Sequence, residues 1–167
     1  MGMVAPQSIE EATSQADVIV IGRLIGAQHW TDPLYAEPES QSVLWVATSQ
    51  VLKGNPKFQE PGVIAINILG EPPDETVADL DHLLLLAELS ADDPVYYLRD
   101  GYMSIYANVD GKVVTPEYAE IKRLYRHSMF ATALDGTPFD ALVDRVSDGP
   151  TTTTLGRPLA VRGYFAC

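Results

Sequence analysis

Three histidines, one cysteine, a dense acidic stretch and a scatter of aromatic rings are the groups in this 167-residue chain that could do chemistry. His29, His82 and His127 are far apart in sequence, without HExxH or any comparable spacing. A zinc site would therefore need distant segments to converge. Cys167 stands alone at the end of the sequence, which rules out an intrachain disulfide and any multi-cysteine metal site. Asp74, Glu75, Asp79 and Asp81 are close enough together to offer oxygen ligands to calcium, but the DxDxDG order of a preformed calcium loop is missing. These four are the metal candidates. A solvated acidic loop is the competing reading.

No nucleophile is marked. GxSxG is absent, and Ser104 follows Gly101, Tyr102 and Met103 without the glycine that completes a nucleophile elbow. The GRLIG stretch lacks the GxxxxGK[ST] order of a phosphate loop, so no nucleotide or other cofactor is expected. The aromatic residues offer more. Phenol and indole rings bury apolar area while keeping a polar handle, which suits a binding surface. Trp30, Tyr97, Tyr102 and Tyr106 are the binding candidates, while alternation assigns Trp45 and one of Tyr96 and Tyr97 to the core.

The chain carries 23 acidic and 11 basic residues, a formal net charge of −12. Such a field repels phosphate backbones, and nucleic acid is not an expected partner. Another protein or a surface component is expected instead, with calcium a secondary possibility. No run of 18 apolar residues is present, so no helical membrane span is expected.

The elements that must position these groups are mostly strands. Ser8 and Glu11 form a capping-box pair opening a short helix that leads to a strand at Asp17 or Val18. In that strand Val18, Val20, Gly22, Leu24 and Gly26 share one face and Ile19, Ile21, Arg23, Ile25 and Ala27 the other. Its first half is apolar on both faces, as in a strand covered on both sides. After a polar insert from Thr31 to Gln41, a second strand runs from Val43 to about Leu52. Val43, Trp45, Ala47 and, past a bulge, Val51 are its expected inward residues. A third strand spans Val63 to Leu69. Four consecutive leucines make the next strand, His82 to Leu89, buried on both faces.

Val95 to Leu98 and Met103 to Val109 follow, and Asp110-Gly111 is a hairpin turn into KVV. From Pro116 the apolar period changes to three and four. It predicts a helix over about Glu117 to Leu134, then a second from Pro138 capped by Thr137. The tail LAVRGYFAC is expected to add an edge strand or lie against the barrel. The expected fold is mainly β with C-terminal helices: a five- to six-stranded antiparallel OB-like barrel over about residues 16 to 114, with helical elaboration over about 116 to 167, in one domain.

The set ADVIVIGRLIGA, VLWVATSQVLKG, HLLLLAEL and GYMSIYANVDGKVV resembles bacterial extracytoplasmic domains of unassigned function, similar to the netrin-like and metalloprotease-inhibitor-like barrels of OB type. Ala16, Asp17, Gly22, the run Val51 to Gly54 and the run Asp110 to Val113 carry the likeness. It implies an exported or secreted protein, with a cytoplasmic one as the alternative. The metalloprotease-inhibitor relatives depend on an N-terminal cysteine and several disulfides, which this chain lacks, so inhibition by that route is not carried over. The leading functional expectation is a non-enzymatic binding or protein-interaction domain. A hydrolase with a scattered Asp/His site and a structural accessory domain are the alternatives.

Overall fold

One strand, β1 (Val18–Asp32), is shared by two ladders and sets the architecture. On one side it pairs antiparallel with β2 (Glu39–Lys53), on the other with β4 (Asp81–Glu88) from Val18↔Leu86 to Arg23↔Asp81. β2 pairs antiparallel with β3 (Val63–Leu69), β3 pairs parallel with β5 (Val95–Leu98), and β5 returns antiparallel to β4. The order β1-β2-β3-β5-β4-β1 is a closed five-stranded barrel of OB-like type, as expected, with one parallel ladder where only antiparallel ones were foreseen. Two outer strands, β6 (Ile105–Val109) and β7 (Lys112–Val114), continue from β4. The structure is a computed structural model and describes residues 6–32, 39–69, 79–88, 90, 92, 94–99, 104–115 and 129–147.

Alternation divides the buried side chains into two cores. Val18, Val20, Leu24, Leu44, Val46, Val51, Ile64, Ile66, Leu84, Leu86, Tyr96 and Ile105 fill the barrel. Ile19, Ile21, Leu83, Leu85, Tyr106 and Val113 face outward beneath three helices. These are α1 (Ile9–Gln15), α2 (Met129–Leu134) and α3 (Phe139–Ser147), which add Ile9, Ala12, Leu134, Phe139, Leu142 and Val146. The consecutive leucines of β4 are thus buried on both faces, two to each core. Of the helix expected from Glu117, the described part is α2; the remainder and the tail LAVRGYFAC lie outside the described residues.

The second strand corrects the expected inward set. Leu44 and Val46 point into the barrel, while Val43, Trp45 and Ala47 lie on the outer face and only Val51 keeps its predicted side. Register shifts at Ile19/Val20, Ile21/Gly22 and Leu24/Gly26 reset the phase between β1 and β2, and a one-residue shift exchanges the faces. The interior is narrow besides: at Gly22 an added Cβ would lie 2.5 Å from Val46 Cγ1 and 2.7 Å from the Ala47 carbonyl oxygen.

Ser8 caps α1 as predicted, its Oγ accepting from the Glu11 N–H at 3.1 Å, while the Glu11 carboxylate accepts from the Gln7 N–H at 2.9 Å. Thr137 departs from its expected role: its hydroxyl donates to the Leu134 carbonyl at the end of α2 instead of capping α3. The Asp110-Gly111 turn holds, with φ of 52° and 83° at its two central residues, as a type I′ hairpin needs.

Asp17, Lys53 and Gly54 meet at one place, where α1 ends against the barrel. Lys53 Nζ donates to the Thr13 carbonyl at 2.9 Å and the Ser14 carbonyl at 3.1 Å, satisfying the C-terminal end of α1. Asp17 N–H donates to the Leu86 carbonyl at 2.9 Å, and an Asp17 carboxylate oxygen accepts from the Glu88 N–H at 3.0 Å. Gly54, at φ 81°, packs so closely that a Cβ would collide with the Asp17 carbonyl oxygen. Gly62 has a similar φ of 78° but open space around it. Gly62→Ala should therefore cost only the left-handed penalty of about 1–2 kcal/mol, and Gly54→Ala about 1–3 kcal/mol more from the collision. Urea denaturation of the two variants measures the difference.

Candidate functional site

The three helices cover the β1-β4-β6-β7 side of the barrel and reach Leu52 of β2, while their cluster takes in no residue of β3 or β5 and none of β2 from Val43 to Ala47. Cross-strand registers define what the outer face of β2, β3 and β5 presents. One row runs Gln28, Val43, Asn67, Tyr97 across β1, β2, β3 and β5; the next runs Gly26, Trp45, Ala65, Val95; a third pairs Ala47 with Val63. Residues directly opposite in a ladder share a face, so these rows stack into one apolar and aromatic surface. Val43, Trp45, Val63, Asn67, Val95 and Tyr97 are all half-buried, and none belongs to either core.

Three polar handles lie in this surface. The Oδ1 of Asn67 is fully buried yet has no hydrogen-bond partner. An acceptor in that state costs about 1–3 kcal/mol relative to a bonded one. The indole of Trp45 and the hydroxyl of Tyr97, both on half-buried residues, are the other two. Gly26 lies opposite Trp45, and an added Cβ there would stand in ordinary van der Waals contact with the indole, 3.7 Å from Cε3.

The sequence candidates separate on this framework. Tyr97 lies on this outer face. Tyr106, expected at a binding surface, is completely buried in the core beneath the helices, because β6 is covered by barrel and helices alike. Trp30 occupies a β1 position opposite Gln41, beyond the last β1–β4 pair. Tyr102 lies outside the described residues. Of the metal candidates, Asp74 and Glu75 also lie outside them. Asp79 is exposed at φ 70°, and Asp81 accepts from Arg23 Nε at 3.1 Å. Among the described residues no three His, Cys, Asp or Glu side chains gather as a metal site.

His82 is a fully buried histidine in β4. It shares its face with Leu84 and Leu86, opposite Gly22 of β1 and Ala107 of β6, while Asp81 projects the other way toward Arg23. Its Nδ1 lies 2.9 Å from the Leu80 carbonyl oxygen, which can only accept. The ring proton is thereby placed on Nδ1, leaving Nε2 a buried acceptor without a donor. No carboxylate meets it there, so His82 is not assembled with Asp81 into an acid–base pair.

Sequence reasoning passed over Asn67 and assigned Trp45 to the core. The available signal was a single amide in the otherwise apolar strand VIAINIL. The class of protein these features define is a five-stranded OB-like barrel with helical elaboration. Compared with protein-family models and with curated proteins, the chain matches none. Among the described residues no helix is long and apolar enough to cross a membrane.

Burial lowers the pKa of His82 below its ordinary value of 6.5, the Leu80 carbonyl and Asp81 opposing only in part. An unfolded chain protonates this ring as pH falls through about 6.5 while the folded chain does so only at lower pH. Stability is therefore complete above that value and declines below it. Between pH 7.5 and 5.5 His82 should remove up to about 1.4 kcal/mol. Urea titrations at the two pH values should show this loss in the native protein and its absence in His82→Leu.

Proposed function

We propose that this domain is a non-enzymatic protein-interaction module that binds a polypeptide partner through the outer face of β2, β3 and β5. The observation that carries the reading is the unbonded, buried Oδ1 of Asn67, set between Val43 and Tyr97 in a sheet face outside the cluster covered by the described helices. Rings at Trp45 and Tyr97 supply apolar area with polar tips, the composition that concentrates binding energy at protein interfaces. OB-type barrels commonly use the strand 2–3 face for ligands, which supports the choice of face by analogy alone.

A net charge of −12 favours a neutral or cationic partner over nucleic acid. Placement outside the cytoplasm rests on the sequence resemblance and belongs to the same proposal. The hydrolase alternative gains no support from His82, whose unbonded nitrogen faces the barrel interior.

Display selection with a random peptide library tests the reading directly. Peptides selected on the native protein should shift the amide signals of residues 43–47, 63–67 and 95–97. They should bind the Trp45→Ser/Tyr97→Ser variant at least about tenfold more weakly. Both side chains lie outside the cores, so the variant should keep its fold. Binders that map to other strands, or that ignore the double substitution, would overturn the proposal.

A further inference from the structure

Asn67 is a half-buried residue of β3 whose Oδ1 is shielded from water and accepts no hydrogen bond. Its cross-strand neighbours are Val43 and Tyr97, and the adjoining row holds Trp45, Ala65 and Val95. Neither row contains an acidic or basic residue. An unbonded acceptor among apolar and aromatic side chains raises the energy of the free domain, and a bound group that donates to it recovers that cost.

The surroundings decide which donor fits. A lysine ammonium or arginine guanidinium would exchange full hydration for one neutral oxygen, with no carboxylate in either row to offset the loss. The net charge of −12 draws cations toward the molecule at long range, but the penalty is set at the contact. A carboxylate has no proton to give. A hydroxyl can donate to Oδ1, yet it leaves the Nδ2 hydrogens of Asn67 to find another acceptor. A carboxamide answers both halves of the group: its N–H donates to Oδ1 while its own oxygen accepts from Nδ2, whichever way round the Asn67 amide is turned about χ2. We infer that the polypeptide partner places an Asn or Gln side chain on Asn67, with apolar residues on either side of it packed against Trp45 and Tyr97. This rests on the interaction face proposed above and specifies what that face reads.

The peptides selected on the native protein supply the test. Those that map to residues 43–47, 63–67 and 95–97 should share one position enriched in Asn or Gln. Replacing that residue by Leu in a synthetic peptide should weaken binding to the native protein by about tenfold or more. Asn67→Leu should show the reciprocal preference: the carboxamide peptide loses about tenfold or more, and the Leu peptide binds this variant better than it binds the native protein. Thermal melting is the folding control, and the variant should melt no lower than the native protein because an unbonded acceptor has been removed. The peptide-side substitution is read on the native protein and does not depend on how the variant folds. Peptides that map to this face without an Asn or Gln position, that carry Lys or Arg there instead, or that bind Asn67→Leu as tightly as the native protein would overturn the inference and leave the interaction face standing. Peptides that map elsewhere, or a selection that returns none, would overturn both.

Discussion

The β1–β4 ladder is the constraint on which everything else depends. Without the pairs from Val18↔Leu86 to Arg23↔Asp81, the strands would form an open sheet with two long edges, and the interior would lose its far wall. The ladder holds because both strands are apolar on both faces over its first four pairs, Val18↔Leu86 to Ile21↔Leu83. Each residue of β1 from Val18 to Ile21 is buried, alternately in the barrel and under the helices, and so is each of Leu83 to Leu86. Neither strand has a side that tolerates water there, so closure and helix docking reinforce one another.

The same division explains why the described helices pack on one side of the barrel. Helices α1, α2 and α3 need an apolar sheet surface, and Ile19, Ile21, Leu83, Leu85, Tyr106 and Val113 provide it on β1, β4, β6 and β7. On β2, β3 and β5 the outward positions are Val43, Trp45, Ala65, Asn67, Val95 and Tyr97, a mixture with polar atoms that a helix without matching partners would leave unsatisfied. Junctions stay local: Lys53, Asp17 and Gly54 fix where α1 ends against the barrel rim, and the Tyr96 hydroxyl, accepting from the Lys57 N–H at 2.7 Å, ties the following loop to the interior.

Much of this was legible in the residues. Doubly apolar runs at 18–21 and 83–86 announced strands covered on both sides, Asp110-Gly111 announced a type I′ hairpin, and Ser8 with Glu11 announced the first helix. Which face of β2 turns inward was not legible. Its two faces are nearly equal in hydrophobicity, and the three register shifts in β1 are invisible to a period of two. Tyr106 was misplaced because the helices that bury it, α1 and those from Met129 onward, are distant from it in the chain. The parallel β3–β5 ladder is a long-range topological fact that no local pattern encodes. Asn67 could have been flagged as the single amide in its strand, but its unbonded state appears only once its neighbours in space are known.

The first and last described helices touch: Arg145 Nη2 lies 2.7 Å from Glu10 Oε1, and α1 and α3 share one apolar cluster. A chain emerging vectorially from a ribosome can close its barrel once β5 is out, but α1 then waits with Ile9 and Ala12 bare until α3 arrives. During that interval part of this apolar cluster stays exposed, and a stop codon anywhere before residue 139 would leave it so permanently.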